Sequence, residues 1–190
     1  MISIKLAPKV SLNLNFEPNI NDLDFWDLIK VSIDYENHSF LVGNTNILEF
    51  IVDSEKLIDD LLRGKLEIES RYLHESLSHS FQLERDKVYS EQIHIRESNL
   101  ERLTEFQFLS LKTNLFFYNL EGKKYFEVSP TYPRNYDLED SKEADFITFQ
   151  DWFKVFKPHF KIELSDEPLA KWMEKCKSLR YEVDYMKSSR

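Results

Sequence analysis

At 190 residues, 42% of them hydrophobic and 14% aromatic, the chain is long enough to bury a core without covalent staples and reads as a single globular domain over 1–190. A lone cysteine, Cys176, excludes an internal disulfide framework and a multi-cysteine zinc site. The net charge of −9 is concentrated between Glu17 and Asp60, where eleven carboxylates face only Lys30 and Lys56; such a field disfavours phosphate backbones and anionic membranes and attracts basic surfaces.

The N-terminal residues Met1 to Leu6 alternate apolar and polar side chains, unlike the unbroken apolar stretch of a signal peptide. Val10, Leu12, Leu14 and Phe16 continue with period two, the mark of a strand with one buried face. Ile29, Val31, Ile33 and Tyr35 repeat the pattern, and Phe40 and Val42 follow the polar break Glu36-Asn37-His38, which predicts a hairpin. Between these strands, Asn19 to Asp27 fits a short helical turn or a loop.

From Asp53 the period lengthens. Leu57, Ile58, Leu61 and Leu62 predict a central helix near 54–63, capped by Asp53 or Ser54 and stopped at Gly64, with an earlier start near Ile47 left open. Leu66 to Ser70, Phe81 with Leu83, and Ile93 with Ile95 are then read as three strands with a wet face. The run from Phe106 to Val128 is the most strand-like of all, and Glu121-Gly122 divides it into a second hairpin. Pro130, Pro133 and the polar stretch to Asp145 make a loop. Six acids against Lys142 between Asp137 and Asp151 form a second acidic cluster.

Thr148 or Asp151 opens a short helix bearing Phe149, Trp152, Phe153 and Phe156, closed by Pro158. Phe160, Ile162 and Leu164 predict a strand. The last helix, starting near Ser165 and Pro168, carries Leu169, Trp172, Met173, Cys176, Leu179 and Val183 at three-or-four spacing, with Lys171, Lys175, Lys177 and Arg180 on its other side. Strands dominate early and helices close the chain without βαβ alternation. The expected class is α+β, a largely antiparallel sheet with C-terminal helices packed on it.

Motifs for chemistry are sparse. The three glycines, Gly43, Gly64 and Gly122, are far apart, which excludes the clustered glycines of dinucleotide and phosphate loops. His74 and His79 stand five apart. A zinc-protease helix needs four, since five residues turn a helix by about 500 degrees and separate the rings, so the segment is read as a polar turn between strands. Cys176 lies on an apolar stripe, where a buried, inert thiol is expected. The aromatics Trp152, Phe153, Phe156 and Trp172 are assigned to packing. Lys171, Lys175 and Arg180 are placed near an acidic cluster or in solvent, since a single basic stripe on an acidic chain is a poor nucleic-acid surface.

These features favour a small cytoplasmic binding protein that docks a basic protein partner, in the manner of an immunity or antitoxin-type inhibitor covering the basic cleft of a toxin such as a nuclease. Asp22, Asp24, Asp27, Asp34, Glu36, Asp137, Glu139 and Asp140 are the expected partner-binding residues. No catalytic or metal-ligating residue, cofactor, nucleic-acid partner or membrane is expected. Two alternatives stay open: an enzyme with a dispersed site drawn from His74, His79, His94, Glu97 and Asp137, and a structural subunit of a larger assembly.

Overall fold

A computed structural model describes residues 1–16, 23–70, 73, 76–91, 113–132 and 147–188. It shows an α+β fold with two antiparallel sheets. The first is a meander of β1 (Ile2–Ala7), β2 (Val10–Phe16), β3 (Leu28–Tyr35) and β4 (His38–Asn46), in that spatial order. Period-two patterning sets its faces: Val10, Leu12 and Leu14 of β2 and Ile29, Val31 and Ile33 of β3 are buried in the core, while Ser11, Asn15, Lys30 and Ser32 point away. A bulge between Val31 and Ser32 shifts the β3–β4 register.

β4 runs directly into α1 (Ile47–Leu62), so the helix takes the earlier of the expected starts and its cap is Asn46. The Asn46 side chain accepts the Glu49 N–H at 2.8 Å. Neither Asp53 nor Ser54 caps anything here, because both lie in mid-helix and Ser54 is fully buried. Asn46→Ala is expected to cost about 1 kcal/mol, read as a shift of the urea midpoint without a change in slope. The end falls where expected: Arg63, Gly64 and Lys65 N–H groups return to Asp59, Leu61 and Asp60 carbonyls, with Gly64 at φ +67°.

Two of the three strands predicted after this helix are not observed as such. Leu66 to Ile68 forms only an isolated parallel bridge, Glu67 to Asn119. Phe81 and Leu83 belong to a helix, α2 (Leu77–Glu91). Ile93 and Ile95 lie outside the described residues, as do Phe106 and Phe108. The alternation around Phe81 rested on two residues, and Leu77 with Phe81 fits helical spacing equally well.

The second sheet contains β5 (Thr113–Leu120), β6 (Lys123–Pro130) and β7 (Phe160–Leu164) in that order. The β5–β6 turn is Glu121-Gly122, both at positive φ, as a two-residue hairpin requires. Between β6 and β7 comes α3 (Phe149–Lys154), opened by Thr148, whose hydroxyl accepts the Asp151 N–H at 3.1 Å. The final helix, α4 (Asp166–Ser188), packs on α1 and on β1. Its stripe Leu169, Trp172, Cys176, Leu179 and Val183 is buried as predicted. One face of the second sheet (Leu115, Phe117, Phe126, Val128) joins α1, α4 and the first sheet in a common core. The other face carries Phe116 and Tyr118, which form a smaller cluster with Ile68 and Leu77. No helix among the described residues is long and apolar enough to cross a membrane.

Candidate functional site

Four of the predicted partner-binding residues are described, and they fall into two pairs at opposite ends of β3. Asp24 and Asp27 build the turn before the strand. The Asp27 carboxylate accepts the Asp24 N–H at 2.6 Å, the Asp24 carboxylate accepts the Trp26 N–H at 3.2 Å, and the Asp27 N–H closes onto the Asp24 carbonyl at 3.1 Å. Carbonyls of Phe25 and Asp27 then accept the Leu48 and Ile47 N–H groups at 3.0 and 3.2 Å. These are first-turn donors of α1 that have no partner inside their own helix. The turn is thereby fixed to a long helix, with Leu23 buried beneath it and Trp26 at its tip, 68% exposed, beside Leu28, 58% exposed.

Asp34 and Glu36 sit one strand length away, about 23 Å at ~3.3 Å per residue. The Asn13 side-chain amide donates to Asp34 at 2.6 Å, and Lys9 pairs with Glu36 at 2.6 Å. The Lys9 hydrogen bond and charge hold Glu36 below the usual carboxylate range. Elsewhere in the acidic segment, Glu55 pairs with Arg180 at 2.6 Å, Asp59 with Arg63 at 2.7 Å, and Asp60 with Lys65 at 2.7 Å. Cations from outside the segment therefore return part of its charge, and the acidic field is more dispersed than the linear sequence suggests. Arg180 stands beside an acidic residue as expected, whereas Lys171 pairs with Glu167 of its own helix. Asp22, Asp137, Glu139 and Asp140 lie outside the described residues, as do His74, His94 and Glu97.

A second polar site escaped the sequence reading. Glu127, on β6, is fully buried. It accepts the N–H groups of Ser78 and Leu77 at 2.9 and 3.3 Å and the Tyr118 hydroxyl at 3.3 Å. Burial, with the neighbouring carboxylate, pushes the Tyr118 phenol up, which keeps it a donor. Lys161, opposite Glu127 in the β6–β7 register, places its ammonium 4.4 Å from the Tyr125 ring centre and 5.3 Å from that of Tyr118. The signal was present in the sequence: a lone carboxylate interrupts the apolar run Tyr125, Phe126, Val128, in a strand buried on both faces.

His79 stands on α2, not in a turn between strands, and its ring packs against Phe153 at 4.4 Å and Phe156 at 6.2 Å. Ser76 caps this helix, its hydroxyl accepting the His79 N–H at 3.1 Å and lying 3.0 Å from the Ser78 hydroxyl. The His79 ring nitrogen Nδ1 makes no hydrogen bond among the described residues. Phe156 is buried, while Trp152 and Phe153 are half-buried in an aromatic cluster with Tyr132 and Phe149. Among the described residues no group of three His, Cys, Asp or Glu side chains could hold a metal ion. Elemental analysis of purified protein is expected to show no stoichiometric zinc or iron. Near-stoichiometric metal, lost on changing His74 or His79, would contradict this. No family model matches the chain, and no curated protein or solved structure matches it.

Proposed function

We propose that the chain is a cytoplasmic binding protein that docks a basic protein partner, most concretely an immunity or antitoxin-type inhibitor of a toxin such as a nuclease. The observation that carries this reading is the Asp24–Leu28 turn. A tryptophan that is 68% exposed leaves a large apolar surface in water, and tryptophans of this kind anchor protein interfaces. Here the anchor is held by two carboxylates and by α1, so little ordering remains to oppose association. Acidic groups beside an aromatic anchor suit a cationic surface, which they draw in at long range and orient on contact. Asp34 and Glu36 are too distant to share that anchor. On this reading they steer the approach.

The test is capture from native lysate at low salt on immobilised wild type, Trp26→Ala and Asp24→Asn/Asp27→Asn. Asparagine keeps the acceptor oxygen of the turn while removing its charge. The expected result is a basic protein that wild type retains, that salt releases, and that Trp26→Ala loses. Capture that neither salt nor the variants alter would sink the proposal.

A further inference from the structure

The chain carries a second rigid turn with an apolar side chain at its tip, and its charge is opposite to that of the Trp26 turn. α3 ends at Val155, whose N–H returns to the Trp152 carbonyl at 3.1 Å, and the Phe156 N–H returns to the Phe153 carbonyl at 3.2 Å. Phe156 is buried, its ring centre 4.9 Å from that of Trp152. Pro158 fixes its own φ, and the His159 N–H donates to the Val128 carbonyl of β6 at 2.7 Å. The turn is thus held on both sides, with Val155 at its tip, 71% exposed. From Lys154 to Lys161 the sequence holds three lysines and His159 and no carboxylate. Asp151 pairs with Lys154 at 2.8 Å, and Lys157 is exposed, so the turn stays cationic.

The two turns do not meet within one chain. Just past the cationic turn, Phe160 stacks on Tyr35 at 4.4 Å and His159 packs on Phe40 at 4.3 Å, which ties it to the Tyr35 end of β3. The Trp26 turn is tied to the Leu28 end, and the eight residues of β3 between them span about 23 Å. Of the acids at the Tyr35 end, Glu36 is paired with Lys9 and Asp34 alternates to the other face of the sheet. Exposed apolar tips flanked by opposite charges are complementary. Both are held by their own hydrogen bonds, so little ordering opposes their contact. A second copy of the chain supplies each turn with the other.

We infer that the chain associates with further copies of itself head to tail, the Trp26 turn of one copy docking against the Lys154–Lys157 turn of the next. This rests on the reading of Trp26 as an interface anchor and adds its regulation: a bound copy covers the anchor, and a basic partner must displace that copy. The two surfaces differ, so the contact is heterologous and extends to chains or closes to rings.

Sedimentation velocity of the purified full chain over a range of concentrations tests this. Wild type is expected to sediment faster as concentration rises, and raising salt from about 50 to 500 mM should weaken the association at least about tenfold. Trp26→Ala and Val155→Asp/Lys157→Glu should each remain monomeric, since each lacks one surface. An equimolar mixture of the two should form a one-to-one complex that grows no further, because one intact pair of turns remains. Should Val155→Asp/Lys157→Glu fail to fold, Lys157→Glu alone takes its place. Monomeric wild type at every concentration, association that salt leaves unchanged, either variant associating like wild type, or a mixture that stays monomeric would each overturn the inference. A monomeric wild type whose Lys154–Lys157 turn instead holds an acidic protein would overturn it as well. Monomeric wild type leaves capture of a basic partner at Trp26 intact, so the two readings fail separately.

Discussion

Replacing Trp172 with alanine is expected to destabilise the protein by about 3 to 5 kcal/mol in urea melts. The indole is fully buried, 6.5 Å from the Phe50 ring centre on α1 and 5.7 Å from that of Phe117 on β5. It therefore joins the helix layer to the second sheet, and rings on two separate elements border the void that truncation leaves. Neither element is able to close that void without losing its own contacts, so the cavity cost adds to the lost transfer free energy. With total stabilities of about 5 to 15 kcal/mol usual for domains, the variant sits near the threshold of folding. A loss below about 1 kcal/mol would show that the stripe on α4 is not a core surface.

The second large effect concerns Cys176, one helical turn further on. Burial pushes its thiol up to about 12 from an ordinary 9.0, and the Glu55 carboxylate adds to this against the Arg180 charge. The raised value shrinks the thiolate fraction of the folded protein by orders of magnitude, and the thiolate is the reacting species. Native protein should therefore react with a thiol reagent at least about a hundredfold more slowly than unfolded chain. The same shift has a signed consequence for stability. The folded state holds its proton where the unfolded state releases it, so Cys176 leaves stability unchanged below pH 9 and reduces it between pH 9 and about 12. Rapid modification of folded protein at neutral pH would contradict the burial of this residue.

What could be read from the sequence followed the hydrophobic effect. Both hairpins, β7 and the α4 stripe bury apolar side chains at regular spacing, and α3 half-buries its aromatics; periodicity reports that. α2 is hard to read because among its described residues only Leu77 and Phe81 mark a helical period, while Ser78, Ser80 and Gln82 are the other buried positions. Glu127 was overlooked for a related reason: its partners are backbone N–H groups 49 and 50 residues away, and the sequence does not mark the end of a helix that its pattern conceals. The acidic segment was legible as composition but not as a surface. Strand β3 separates Asp24 and Asp27 from Asp34 and Glu36, and Lys9, Arg63, Lys65 and Arg180 fold back onto several of the remaining carboxylates. Trp26 looked like one aromatic in an ambiguous stretch. Its exposure follows from how Asp24, Asp27 and the first turn of α1 share their hydrogen bonds.

The central claim, a charge-steered interface anchored at Trp26, is tested most directly by association kinetics with the captured basic partner across about 50 to 500 mM salt, where Debye lengths run from roughly 14 to 4 Å. Wild type should associate more slowly as salt rises. Asp24→Asn/Asp27→Asn should show a lower on-rate and a flatter salt dependence, and Trp26→Ala a faster off-rate at every salt concentration. If all three proteins associate and dissociate at the same rates throughout that range, the turn is an ordinary solvated surface and the proposed interface is wrong.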